Sequence, residues 1–296
     1  MLTENQIKQY QEDGFVILPE LLSDHEVQAL RDKTEALCQN AAGLHCGNDV
    51  YDLEDSHQPN APRVRRIKAP HLVDEIYASL IRDERVLGPL KQLLGSSVRL
   101  LNTKLNLKSK GYGAPVEWHQ DWAFYPHSND DVLAVGVFLN DVSADNGPLN
   151  FIPGSHRGPL FDHHDNGYFC GIADLEAEKV DVSDATPGIA PAGSVSIHHA
   201  RTLHGSEANQ SNEDRGLLLY EVAAGDAWPL AGGLGKPFTD LNEFNARLLC
   251  GEPVVTPRLA NVPVRMPLPI HAGATSIYQL QEESGRRFYA EKMRAN

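Results

Sequence analysis

A His-x-Asp pair in residues 116–122 restricts how this chain can fold. Successive side chains of a β-strand point to opposite faces, so residues two apart point the same way. On a strand, His119 and Asp121 would therefore direct an imidazole and a carboxylate at one point. In a chain with thirteen histidines such a pair arises easily by chance, so a metal site requires a third ligand from a distant segment.

A candidate for that third ligand, His204, lies far downstream in the segment His-Gly-Ser. Two histidines and one carboxylate on one face of the metal form the ligand set of non-haem Fe(II) oxygenases. Arg215 follows and opens the apolar strand candidate 216–222. A guanidinium grips a carboxylate through two parallel hydrogen bonds, which an ammonium cannot reproduce. We therefore expect Arg215 to hold a carboxylate near the metal, with a hydroxyl from Ser206.

Short strand candidates separated by Gly- and Pro-containing turns fill the middle of the chain. Residues 99–108 alternate in polarity, and further candidates lie at 133–139, 149–152, 180–182, 193–198 and 217–223. This pattern predicts a mainly β protein with flanking helices, in which the strands form a cupin-like jelly roll of two sheets. The polar face of residues 99–108 either meets solvent or places Lys104 or Asn106 inside the barrel.

The ends of the chain are expected to surround this core. Capping boxes at Thr3-x-x-Gln6 and Ser23-x-x-Glu26 predict two helices, and two more are expected at 71–82 and 85–95. We interpret residues 1–296 as one domain, with helical bracing and a mouth loop in 1–95. The β-helix core takes up 96–225, and a C-terminal strap takes up 226–296.

Two interpretations of the strap stay open. Its apolar residues allow it to pack on the outside of the barrel and only stabilise it; they are Trp228, Phe238, Phe244, Leu248, Leu249, Tyr278 and Phe288. Alternatively, part of the strap closes the barrel mouth over a substrate together with the polar loop 42–64. Long loops on a rigid scaffold commonly carry binding residues.

Composition excludes several classes of partner. The formal net charge of −14 argues against nucleic acid, because a polyanion would be repelled. No apolar run reaches the roughly twenty residues that cross a bilayer, and the amino terminus lacks the features of a signal peptide. The four cysteines show no CxxC motif and indicate free thiols in a reducing compartment. We expect a cytoplasmic protein with no membrane partner.

Three motifs together resemble the phytanoyl-CoA dioxygenase family. They are His119-x-Asp121, the run Asn-Gly-Pro-Leu-Asn-Phe-Ile-Pro-Gly-Ser-His at 146–156, and His204-Gly-Ser followed by Arg215. The resemblance covers roughly residues 1–225. It implies an Fe(II)- and 2-oxoglutarate-dependent oxygenase on a double-stranded β-helix, with the three candidate ligands on iron and Arg215 on the distal carboxylate of 2-oxoglutarate.

Further candidates for binding the co-substrate are Ser206, Gln120, Asn106 and Lys104. The resemblance also implies a lysine, ahead of the core, that contacts the oxoacid. Arg65, Arg66 and Lys68 are the nearest candidates here, and the sequence does not choose among them.

The expected reaction is hydroxylation of an unactivated C–H bond of a small organic molecule. Dioxygen and 2-oxoglutarate would be consumed, and succinate and CO2 would be the co-products. The alternatives are desaturation, cyclisation or epoxidation at the same iron, or a non-catalytic jelly-roll module that merely holds a metal. Arg215 favours the enzyme, because a metal cage has no need of a group that binds a carboxylate.

Overall fold

In the computed structural model, two antiparallel sheets form the jelly roll. The structure describes residues 1–111, 113–230, 240–274, 276–282 and 284–289. The strands in this part of the chain are β1 (Phe15–Leu18), β2 (Tyr51–Leu53), β3 (Val64–Lys68), β4 (Val98–Lys108), β5 (Val116–His119), β6 (Val132–Phe138), β7 (Leu149–Phe151), β8 (His164–Asp165), β9 (Tyr168–Phe169), β10 (Thr186–Pro187), β11 (Val195–His199), β12 (His204–Ser206), β13 (Arg215–Ala224) and β14 (Leu248–Cys250).

The larger sheet has the order β1-β11-β6-β13-β4-β3-β2, with β14 also paired to β4. The smaller sheet has the order β10-β7-β12-β5, and β8 pairs with β9 as a separate ribbon. The smaller sheet therefore brings the two histidine segments together, since β12 pairs with β5.

Helices lie at both ends of the chain. Their bounds in the described residues are α1 (Glu4–Asp13), α2 (Asp24–Gln39), α3 (Pro70–Val73), α4 (Glu75–Leu80), α5 (Glu84–Leu94), α6 (Leu241–Ala246) and α7 (Ile277–Glu282). None of the helices described is both long and apolar enough to cross a bilayer.

The two predicted capping boxes are present. Thr3 and Gln6 exchange hydrogen bonds at the start of α1, and Ser23 and Glu26 do so at the start of α2. Gly14 ends α1 with a φ of 84°, and a Cβ there would lie 2.5 Å from Nδ1 of His156. Only glycine combines this backbone conformation with the close approach. The turn lets the chain enter β1, which pairs with β11.

Three sequence expectations need correction, and a fourth concerns a residue that the structure does not describe. Residues 180–182 form no strand, and the short β10 at Thr186–Pro187 pairs with β7 instead. The loop 42–64 contains β2, which extends the larger sheet, so the first 95 residues contribute strands as well as helices. Residues 70–80 form two short helices rather than one, because Asp74 leaves the helical conformation and caps α4. Phe238 of the strap lies outside the described residues.

Strand β13 is buried on both faces and divides the interior. Leu218, Tyr220 and Val222 belong to the main apolar core, which includes residues of α2, α4 and α5. On the opposite face, Leu217 and Leu219 line the cavity between the sheets. The two-residue period of the strand thus separates a dry core from the cavity.

One hydrogen bond ties this strand to the helical layer. The Tyr220 hydroxyl donates to the carbonyl of Tyr77 at 2.7 Å, in a fully buried position. Removing a partner from a buried hydrogen bond costs about 1–3 kcal/mol. We expect Tyr220→Phe to lower the free energy of unfolding by that amount in urea denaturation. Tyr168→Phe, at a side chain that is 41% exposed, is the control and should leave stability unchanged. Equal stability of both variants would contradict this expectation.

Candidate active site

The three predicted metal ligands converge in the structure. His119 ends β5, and His204 begins β12 directly opposite it. Asp121 lies in a single 3-10 turn, Asp121–Ala123, and not on the strand itself. Its carboxylate nevertheless lies 3.8 Å from Nε2 of His119 and 3.9 Å from Nε2 of His204. One potential ligand atom from each residue lies within 4.8 Å of the others, and all three residues are buried.

Backbone carbonyls orient both imidazoles for metal binding. Nδ1 of His119 donates to the carbonyl of Glu117 at 2.8 Å, and Nδ1 of His204 donates to that of Thr202 at 2.9 Å. The proton is therefore on Nδ1, and Nε2 is left with its lone pair facing Asp121. Burial lowers the pKa of His119 to about 4 and that of His204 well below its ordinary value. Both rings are neutral ligands at neutral pH, so this donor set fits Fe(II).

A third buried imidazole lies against the same carboxylate. His198 is on the inner face of β11, and its Nε2 lies 3.4 Å from Oδ2 of Asp121. Burial opposes ionisation of Asp121, but His198 and the charge of Lys104 hold its pKa well below the ordinary value. Asp121 is thus an anion, as a metal ligand must be. His199, the next residue, points the other way and approaches Asp130.

Arg215 lies in the same cavity as the three ligands. It is 2% exposed, and its Nη2 donates to the carbonyl of Gly147 at 2.5 Å. Its Nε has no hydrogen-bond partner among the described residues, and burial lowers the pKa of the guanidinium to about 10. Ser206 and Asn106 also line this cavity. A buried cation with an unused donor fits an anionic ligand.

The polar face of β4 points inward, which decides between the two sequence interpretations. Lys104, Asn106 and Lys108 all line the cavity. Lys104 forms an ion pair of 2.6 Å with Glu221. Burial opposes the charge, but Glu221 and Asp121 raise the pKa of Lys104, so it remains an ammonium.

The expectation for Gln120 is corrected. Its side chain donates to the carbonyls of Pro159 and Arg201 and accepts from the backbone N–H of Phe161, at 2.9–3.0 Å. As the residue between His119 and Asp121, it points away from the cavity and fixes the loops behind the metal ligands.

The three basic candidates that precede the β-helix core form ion pairs away from the cavity. Arg65 pairs with Glu54, Asp55 and Glu282, at 2.8–3.1 Å. Arg66 and Lys68 both pair with Asp52, and none of the three basic residues lines the cavity.

Two cavity residues come from a segment in which the sequence indicated no ligand. Ile277 and Tyr278, at the start of α7, line the cavity beside Arg215. Helix α7 docks on the metal strand, since Gln281 accepts from the backbone N–H of Glu117 and donates to the carbonyl of Gly171, both at 3.0 Å. The sequence did not indicate Ile277 and Tyr278 as cavity residues, because only tertiary packing brings the C-terminal segment to the cavity.

Comparison with known proteins identifies the family of this chain. The family model of phytanoyl-CoA dioxygenase (PhyH) matches residues 10–217. The chain belongs to the phytanoyl-CoA dioxygenase family. The predicted family, the jelly-roll fold and the dioxygenase class are thereby confirmed, as are iron and 2-oxoglutarate as the cofactors of the family.

Two relatives and one solved structure are informative. A probable alpha-ketoglutarate-dependent hypophosphite dioxygenase of Stutzerimonas stutzeri is 34% identical over 293 residues, covering 98% of this chain and 100% of that protein. L-proline trans-4-hydroxylase of Streptomyces griseoviridis is 32% identical, covering 71% and 82%. The crystal structure of EctD from S. alaskensis with bound Fe is 23% identical, with a TM-score of 0.65 and 88% of each chain covered.

The geometry predicts that each of the three ligand residues is required for metal binding. Loss of even an outer partner of a metal ligand costs 10–100-fold in affinity. We therefore expect His204→Ala to weaken Fe(II) binding by more than about 100-fold, measured by anaerobic calorimetry. His25, exposed on α2, supplies the control His25→Ala, which should bind like the wild type. Wild-type affinity in His204→Ala would remove His204 from the site.

Proposed function

We propose that this chain is an Fe(II)- and 2-oxoglutarate-dependent dioxygenase that inserts one oxygen atom into a bond to hydrogen of a small substrate. His119, Asp121 and His204 would hold the iron, and Arg215 and Ser206 would hold the distal carboxylate of 2-oxoglutarate. The observation that carries the proposal is that two neutral imidazoles, a carboxylate and a buried guanidinium line one cavity, and that this guanidinium has no ion-pair partner in the described part of the chain.

In the overall reaction the substrate is oxidised by two electrons. Substrate–H, 2-oxoglutarate and O2 give substrate–OH, succinate and CO2, so one oxygen atom enters each organic product. Bound iron supplies the site at which dioxygen is activated and 2-oxoglutarate is oxidised.

The residues of the chain supply orientation and a dry environment. The Nδ1 hydrogen bonds keep both imidazoles aimed at one point, and Arg215 would fix the far end of the oxoacid. Leu149, Leu217 and Leu219 add apolar side chains to the lining of the cavity. Excluding water strengthens the hold of Arg215 on a carboxylate, because the charges interact in a medium of low dielectric constant.

The first candidate reaction is hydroxylation of an unactivated C–H bond of a small organic molecule. It is supported by relatives such as the L-proline trans-4-hydroxylase. In hydroxylation the product gains one oxygen atom, whereas desaturation or cyclisation would remove two hydrogens. Product mass therefore separates hydroxylation from desaturation and cyclisation at the same iron. Epoxidation of a double bond also adds one oxygen atom and is recognised by the loss of that double bond.

The second candidate is oxidation of a P–H bond in a small phosphorus oxyanion. It is favoured by the relative named as a hypophosphite dioxygenase, which matches 98% of this chain. Such a match includes the C-terminal segment, whose Ile277 and Tyr278 line the cavity. The L-proline hydroxylase covers only 71% of the chain.

Turnover assays with a short substrate panel test the function. We expect Fe(II)-dependent succinate formation from 2-oxoglutarate that is stimulated by hypophosphite or by a small amino acid such as L-proline or ectoine. Phosphite or a product heavier by one oxygen atom would identify the reaction. A wild-type protein that binds Fe(II) but never converts 2-oxoglutarate, with or without these substrates, would instead indicate a metal-holding binding module.

The proposed role of Arg215 predicts a selective kinetic defect. Arg215→Lys keeps the charge but loses the two parallel hydrogen bonds. A charge-assisted hydrogen bond contributes about 1.5–3 kcal/mol, so we expect the KM for 2-oxoglutarate to rise roughly 10- to 150-fold. Arg157→Lys, in the surface turn after β7, is the control. An unchanged KM in Arg215→Lys would assign the distal carboxylate to another residue.

A further inference from the structure

We propose that Lys108 and Tyr278 bind the same co-substrate carboxylate as Arg215, so that the C-terminal segment forms one wall of the co-substrate pocket. This rests on the proposed function, and it adds two residues to the binding site. It would also give α7 a part in binding the co-substrate, in addition to covering the barrel.

Lys108 lies beside Arg215 in the sheet. The two residues are directly opposite each other in the pairing of β4 with β13. Both line the cavity, and both are 2% exposed. Lys108 donates from Nζ to the carbonyl of Glu207 and, at 3.5 Å, to that of Ser206. An ammonium has three donors, so it retains one for a ligand.

These two cations lack the counter-charge that the neighbouring ones have. Lys104 pairs with Glu221, and Arg66 pairs with Asp52. Among the described residues, no carboxylate lies within ion-pair distance of Lys108 or Arg215, although Glu54, Glu117 and Glu207 act on Lys108 from farther away. Burial and the charge of Arg215 hold the pKa of Lys108 well below its ordinary value. A bound carboxylate would offset both the burial of the Lys108 charge and its repulsion by Arg215, since buried charges require a partner.

Tyr278 reaches the same end of the cavity from α7. Its ring is 4% exposed, and its hydroxyl has no hydrogen-bond partner among the described residues. Burial raises the pKa of the phenol, so it is protonated and can donate. Leaving such a donor unsatisfied is costly, and native structures rarely do so without a functional reason. A carboxylate held by Arg215 would accept from it.

The tyrosine is held firmly in this position. Arg65 lies over its ring, with 5.2 Å from the guanidinium carbon to the ring centroid. The same arginine pairs with Glu282 at the end of α7 at 2.8 Å and with the buried Glu54 at 2.9 Å. Arg65 therefore positions the helix rather than contacting the oxoacid. Residue Glu54 follows β2, so the segment 42–64 supports the pocket indirectly.

Two conservative substitutions test the proposal. Tyr278→Phe removes only the hydroxyl, and Lys108→Met removes only the charge and its donors. Tyr289→Phe is the matched control, because Tyr289 is also buried and C-terminal but stacks on Trp118 and does not line the cavity. Dissociation constants are measured by anaerobic calorimetry on the Fe(II)-loaded proteins, with thermal denaturation to establish that each variant is folded.

The choice of ligands isolates the distal carboxylate. 2-Oxoglutarate carries it, whereas 2-oxopentanoate has the same five carbons and the same oxoacid end without it. We expect Tyr278→Phe and Lys108→Met each to bind 2-oxoglutarate at least about 10-fold more weakly. Their affinity for 2-oxopentanoate should equal that of the wild type, and Tyr289→Phe should match the wild type for both ligands.

Other results would overturn the proposal or one part of it. Equal weakening for both ligands, or none, would overturn the proposal and leave Lys108 and Tyr278 as structural residues. Selective weakening in one variant alone would overturn the role of the other residue. A wild-type protein that binds neither oxoacid would overturn the proposed function together with this inference, whereas normal binding by the wild type and weak binding by Arg215→Lys would preserve that function.

Discussion

The pairing of β13 with β4 is the interaction on which the rest of the structure depends. Both strands are long, and β13 is buried on its two faces. One face closes the core against the helices, and the other lines the cavity with Arg215, Leu217 and Leu219. Because the period of a strand is two, a shift of one residue would move the guanidinium into the apolar core. The register that stabilises the fold therefore also positions the binding site.

Most of the charged side chains that line the cavity are positive, whereas the net charge of the whole protein is negative. The chain carries a formal net charge of −14, yet the cavity is lined by Lys104, Lys108 and Arg215. The buried cations thus place positive charge inside an acidic chain. The carboxylate of Glu221 neutralises Lys104 through an ion pair. Among the described residues, Lys108 and Arg215 have no carboxylate partner of this kind, and we propose that they bind the second carboxylate of the oxoacid.

The C-terminal segment joins the metal strand to the cavity wall. Gln281 satisfies the backbone N–H of Glu117, whose carbonyl in turn accepts from Nδ1 of His119. Helix α7 thus supports a metal ligand through one residue while it presents Tyr278 to the cavity. The same helix therefore contacts the strand of His119, a proposed iron ligand, and the wall of the cavity.

Local sequence patterns determined much of this protein. Capping boxes specified the first two helices, alternation specified β4, and the spacing of His119, Asp121 and His204 with Arg215 indicated the metal and carboxylate site. Each of these signals is carried by near neighbours or by a recognisable motif. Only the tertiary structure decided which way β4 faces, that Gln120 serves the loops, and that Lys108 and Tyr278 share the pocket of Arg215. Those facts depend on pairing and packing between segments far apart in the chain, and no local pattern records such contacts.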